Sequence, residues 1–183
     1  MKTYISMIRG INVGGKRVKM ADLKDLYLSL NLKNVTSYIQ SGNVIFRTEN
    51  NDSDGISKEI QEKILDVFGY EVTVIIKTLD EFKNIIDASP FDIEEQEHLY
   101  LTFLSDKPQN NLQEIDLSEV NGIKEGEKFI ISSKEVYLYL PYGYGRTKLN
   151  NNFLEKKLHL NATTRNWKTV NKLYQIASSI KSE

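Results

Sequence analysis

Apolar and polar positions along the first half of the chain fall into two alternating rhythms. Residues 3–8 are β-branched, aromatic and apolar, which predicts a strand. Met20, Leu23, Leu26, Tyr27 and Leu30 then recur at helical spacing. Residues 35–39 and 44–46 predict two strands joined through the turn signal Gln40-Ser41-Gly42-Asn43. Ile56, Ile60, Ile64, Leu65 and Phe68 mark a second amphipathic helix, with Ser53 or Asp54 as its cap and Gly69 as its stop. Val72, Val74 and Ile76 alternate as a fourth strand. The order β-α-β-β-α-β is the split-βαβ arrangement of ferredoxin-like folds.

The second half repeats that order. Leu79, Phe82, Ile85 and Ile86 predict a helix leading into Ser89-Pro90-Phe91 and an acidic stretch over 92–97. Residues 99–104 predict a strand, 108–117 a helix capped near Asp106, and 129–131 with 136–140 a hairpin across Ser132-Ser133-Lys134. Tyr142-Gly143-Tyr144-Gly145 is a second glycine-rich loop, ahead of a helix over 149–158. Val170, Leu173, Tyr174 and Ala177 share one face of a last helix. The expected fold is α+β, with two ferredoxin-like (split βαβ) subdomains. The first spans 1–78 and the second 98–183, read as βαββα plus a C-terminal helix, with a helix and acidic connector over 79–97.

Composition narrows the chemistry. The 183 residues include no cysteine, which excludes disulfides and thiolate metal sites. No apolar run suits a signal peptide or a membrane span, so a cytoplasmic protein with no membrane partner is expected. The net charge of −1 conceals two basic ends around an acidic middle: 1–48 carries +6 and 120–183 carries +6, whereas 80–119 carries −9. Basic ends that met in the fold would attract anions; the plainer alternative is a solvated acidic face that neutralises them.

Four segments together carry a family resemblance: Arg9-Gly-Ile-Asn-Val-Gly-Gly15 followed by Met20-Ala-Asp-Leu23, Tyr38-Ile-Gln-Ser-Gly-Asn43, Gly145-Arg-Thr-Lys148, and Ala162-Thr-Thr-Arg-Asn-Trp-Lys-Thr169. In this order, and over nearly the whole chain, they resemble the bacterial family called domain of unknown function 1697. The resemblance implies two related α+β subdomains and supplies no activity. The family pattern carries a glycine after the first helix, where this chain has Asn31-Leu32.

In a split-βαβ sheet the loop leaving the first strand and the hairpin leaving the second emerge at one end. Arg9, Asn12, Gly14, Gly15 and Lys16 should therefore neighbour Gln40, Ser41 and Asn43, with glycine amides ahead of a helix start and the charges of Arg9, Lys16 and Arg17 beside them. Such a corner suits a phosphate or carboxylate. It matches neither G-x-G-x-x-G nor G-x-x-x-x-G-K-[ST], and a tight turn with φ > 0 glycines explains it equally. Arg146, Lys148, Thr164, Arg165, Asn166 and Trp167 form a second candidate cluster, expected to share the cleft; helix capping by Thr or Asn and core anchoring by Trp167 are its structural alternative.

Several classes lack support. His98 and His159 lie outside the glycine-rich motifs, which leaves no Ser–His pair or zinc site. The segment from Asn50 to Gly55 imitates a calcium loop, but Gln61 stands where a bidentate Glu is required. No cofactor is expected, and whether the chain is an enzyme stays open. The preferred reading is a binding cleft for a small phosphorylated or carboxylated ligand. A nucleic-acid module, with bases stacked on Tyr4, Tyr38, Tyr137, Tyr139, Tyr142 or Tyr144, is less favoured because no RNP-type run occurs and the pI is 6.2. An oligomer without a ligand is the third reading; sequence does not fix the oligomeric state.

Overall fold

The alternation that begins at Thr3 becomes strand β1, Lys2–Arg9, and every residue from Tyr4 to Ile8 is buried. The computed structural model describes residues 1–91, 93–109 and 122–180. Helix α1 (Met20–Ser29), strands β2 (Lys33–Tyr38) and β3 (Asn43–Thr48), helix α2 (Ser53–Phe68) and strand β4 (Thr73–Thr78) follow in the expected order. The sheet runs β2-β3-β1-β4 and is antiparallel throughout. β1 and β2 therefore both oppose β3 and point the same way.

Period-2 geometry turns Tyr4, Ile8, Val44, Phe46, Val74 and Ile76 towards α1 and α2, where they meet Leu23, Leu26, Tyr27, Ile56, Ile60 and Ile64 in one core. Phe46 stacks on Tyr4 and meets Tyr27 edge-on, with ring centroids 5.5 and 5.7 Å apart. In this apolar layer the buried Ser6 hydroxyl shares a hydrogen bond with the Tyr27 hydroxyl at 2.9 Å, so neither oxygen is left unpaired.

The helix ends explain themselves locally. Asp52, one residue before Ser53 and two before Asp54, accepts from the Gly55 amide and starts α2, and Gly69 ends it in the left-handed region. After α1, Asn31 adopts φ +58°. It thus takes the left-handed post-helix position that a glycine would fill, and asparagine is the side chain that tolerates this conformation best.

Helix α3 (Leu79–Asp87) and a 3-10 turn over Ile93–His98 lead to strand β5 (Leu99–Leu104). Of the helix expected over 108–117, residues 110–117 lie outside those described. β6 (Lys128–Ser132) and β7 (Glu135–Tyr139) form the predicted hairpin, and helix α4 spans Asn151–Leu158 with Asn150 as its cap. One element departs from the sequence reading. Residues expected to open the last helix form strand β8 (Ala162–Asn166), and helix α5 (Trp167–Ser179) starts only after it. Thr163, Thr164, Arg165 and Asn166 lack the apolar alternation of a half-buried strand, so propensity alone reads them as a cap; pairing with β5 overrides it.

The second sheet, β6-β7-β5-β8, repeats the first in topology and register. Ser6 lies between Val44 and Ile76, and Thr102 lies between Val136 and Thr164. Leu104, Val136, Leu138, Leu140, Leu149, Leu154 and Leu158 form its core. The chain divides into two compact units, one of residues 1–84 with the residues from Lys172 on, the other of Ile85–Asn171.

Candidate functional site

β1 delivers the chain to the corner that the split-βαβ order predicts. Gly10 turns it with φ +81°, Ile11 plugs it into the core, and Asn12 takes the left-handed φ of +56°. The Asn12 side chain then holds the loop. Its Oδ1 accepts the Val18 amide at 2.8 Å, and its Nδ2 donates to the Gln40 carbonyl at 2.9 Å and contacts the Met20 sulfur at 3.8 Å. The Ile8 amide donates to the Gly42 carbonyl at 2.9 Å, which fastens the β2–β3 turn to the same end of the sheet. Gly42 is required there: its φ is +70°, and a Cβ would collide with Ile11.

Between Asn12 and α1 the chain makes a tight turn in which the Lys16 amide donates to the Val13 carbonyl at 3.2 Å. Gly14 and Gly15, at φ +58° and +92°, are the exposed apex of that turn. They precede the helix start at Met20 by several residues, so their amides are not the helix N-terminal amides that the sequence suggests. The Lys16 ammonium donates to the Glu71 carbonyl at 2.7 Å. Asn43 is buried, and its Nδ2 donates to the Ser41 hydroxyl and to the Tyr38 carbonyl, which closes the hairpin from within. Arg9 ends β1 opposite Thr73.

A surface cleft of about 670 Å³ opens at this corner. Of the residues expected at this corner, Asn12, Arg17 and Gln40 line it. The rest of its wall comes from the helix start that follows the loop: Lys19 adds to the positive charge of Arg17, Asp22 supplies a carboxylate, and Val18 and Met20 give apolar surface. Phe68, from the end of α2, completes it. Lys19 stands at the N-cap of α1 and gives no side-chain cap. Spacing around the glycines could not reveal Phe68, which arrives from a distant helix.

The second cluster has another character, read here within its own unit. The Thr164 hydroxyl donates to Asn151 Oδ1 at 2.6 Å and accepts from the Tyr144 hydroxyl at 3.3 Å. Thr102, 2.7 Å from Thr164, is left as its second donor. The Tyr144 hydroxyl in turn accepts the Asn151 amide at 2.9 Å. Arg165 is buried, and its guanidinium donates to the Thr163 hydroxyl at 2.7 Å and the Thr164 carbonyl at 2.9 Å. Asn166 Oδ1 accepts the Thr169 amide and caps α5, and Trp167 is buried. The Lys148 side chain lies over Gly122, and Arg146 is exposed in a single 3-10 turn. Capping and anchoring account for Asn166 and Trp167.

Burial pushes the Tyr137 hydroxyl up to about 12, helped by the nearby Glu135 carboxylate, and raises Tyr27 further. Tyr4 and Tyr137 are buried and offer no face for a nucleobase; Tyr142 is exposed, with the Lys124 ammonium 5.2 Å above its ring. His98 lies edge-on to Tyr139, and His159 ends α4 in the left-handed region. Among the described residues no group of three or more His, Asp or Glu could hold a metal ion, and no helix is long and apolar enough to cross a membrane.

The repeated β2-β3-β1-β4 register thus defines an α+β protein of two ferredoxin-like units with an open corner on the first. The fold agrees over 96% of this chain and 98% of the other with that of a conserved bacterial protein from Streptococcus pneumoniae, at 22% identity and a TM-score of 0.71. Residues 1–137 match the model of the DUF1697 family, described as proteins of unknown function, and the chain belongs to that family. Comparison with curated proteins gives no match.

Proposed function

We propose that the cleft at the start of α1 binds a small phosphorylated or carboxylated molecule. One observation carries this reading: Arg17 and Lys19 both line the cleft, and neither forms an ion pair with any described residue. Two like charges held together repel unless a counter-charge arrives, and Asp22 offsets only one of them. An anion entering here replaces that repulsion with charge-assisted hydrogen bonds.

The test is a calorimetric titration with ribose 5-phosphate, repeated with Arg17→Ala, Lys19→Ala and Arg146→Ala. Saturable binding is expected, weakened at least tenfold by either of the first two and untouched by the third, with a shallow salt dependence. Binding indifferent to Arg17 and Lys19, or none at all, refutes the reading. Oligonucleotide binding that falls steeply with salt would instead favour the nucleic-acid reading.

A further inference from the structure

We propose that the ligand of this cleft is a mononucleotide-sized organic anion whose aromatic body packs on Phe68 and Met20. This rests on the reading of Arg17 and Lys19 as the partners of its anionic group. Size is the first argument. A cleft of about 670 Å³ is far larger than an inorganic anion needs. It falls in the ~300–1,000 Å³ range of pockets that hold organic ligands.

The wall is also divided in kind. Val18, Met20 and Phe68 contribute apolar surface that phosphate or a short carboxylic acid would leave wet. Phe68 and Met20 pack against the core with one side only and remain partly exposed. Ring faces and thioether sulfur are the surfaces on which a flat heteroaromatic group packs well. Met20 is not a loose lid, because its sulfur is held by the same Asn12 amide that bonds the Gln40 carbonyl. Such a wall is formed before any ligand arrives, which lowers the cost of ordering it.

Asp22 supplies the third argument. Its carboxylate shares the cleft with Arg17 and Lys19, so a compact polyanion filling the space would meet like charge. A molecule carrying its anion at one end and hydroxyl or amino donors further along satisfies both signs at once. A nucleoside monophosphate has that order of groups: phosphate for the two cations, sugar hydroxyls or an exocyclic amine for Asp22, and a base for the apolar wall.

Calorimetry with AMP, ribose 5-phosphate, inorganic phosphate and adenosine tests this on the unaltered protein. AMP should bind at least tenfold more tightly than ribose 5-phosphate, and both more tightly than inorganic phosphate. Phe68→Leu, which keeps apolar volume and removes the ring, should weaken AMP several-fold and leave ribose 5-phosphate unchanged. Equal affinities for AMP and ribose 5-phosphate overturn the aromatic-body proposal and leave the anion site standing, as does AMP binding indifferent to Phe68→Leu. Should that variant fail to fold, the ligand series on the native chain still decides. No binding of any phosphate, or binding unaffected by Arg17→Ala, overturns both readings together.

Discussion

The Asn12 side-chain amide donates to the Gln40 carbonyl at 2.9 Å across 28 residues of chain. The same side chain accepts the Val18 amide at 2.8 Å, so one residue fixes both the β2–β3 turn and the approach to α1. Asn12→Ala removes both bonds and places a residue with no local hydrogen bond at φ +56°. A loss of roughly 2–3 kcal/mol in urea denaturation is expected, at about 1 kcal/mol per hydrogen bond and ~1 for the backbone. Asn12→Gly, which tolerates that φ, should lose less.

Gly42 and Gly14 both have positive φ, yet they answer a methyl group differently. At Gly42 the Cβ would collide with Ile11 and touch Ile8, whereas at Gly14 it meets nothing within 4 Å. Gly14→Ala should therefore cost about 1–2 kcal/mol, the backbone contribution alone. Gly42→Ala adds overpacking of about 1–3 kcal/mol, so its denaturation midpoint should fall clearly further. Equal midpoints would contradict the packing of Ile11 beneath the turn.

Ile39 is β-branched, 49% exposed, and held at φ +51° in the β2–β3 turn. The left-handed region costs such a residue roughly 1–2 kcal/mol relative to one that accepts it, and little burial offsets that here. Ile39→Asn should stabilise the protein by about 1 kcal/mol and leave the cleft, which Ile39 does not line, intact.

Thr164→Val removes the hydroxyl shared by Asn151, Tyr144 and Thr102 while keeping the side-chain shape. The Asn151 oxygen loses its donor, for an expected cost of roughly 1–3 kcal/mol. Affinity for AMP should not change. A large affinity loss without destabilisation would return this segment to the binding site.

Alkali tests the buried tyrosines. Burial raises Tyr27 and Tyr137 above the ordinary value of 10.0, so both are neutral in the fold when an unfolded chain would already ionise them. Their contribution to stability is complete below pH 10 and is lost as pH climbs through 10 towards about 12 for Tyr137, since the unfolded state sheds protons first. In a titration followed by tyrosinate absorbance, the ionisation of Tyr27 and Tyr137 should coincide with loss of secondary structure.

Strands with apolar alternation and helices with apolar spacing were legible from sequence because burial of one face dictates the pattern. β8 was not, since beyond Ala162 its buried residues are Thr163 and Arg165, whose polarity is satisfied by bonds invisible in one dimension. The corner of the first unit was legible from topology, because β1 and β2 must leave the sheet together. Its chemistry was only half legible: Asn12, Arg17 and Gln40 were singled out, but the glycines draw attention to a turn apex, while the rest of the cleft is walled by Lys19, Met20 and Asp22 downstream and by Phe68 from α2.

The shared register of the two sheets bears on ancestry. Tyr4, Ser6 and Ile8 stand where Tyr100, Thr102 and Leu104 stand, and the closing bonds from Ile8 to Gly42 and from Leu104 to Lys134 coincide at 2.9 and 2.8 Å. A tandem duplication leaves this kind of imprint: spatial equivalence and a hydroxyl, Ser6 or Thr102, at the centre of each sheet. In one unit the corner has a four-residue turn and an open recess; in the other the turn is the two-residue Ser133-Lys134, and Lys134 is latched to Asp106 at 3.0 Å.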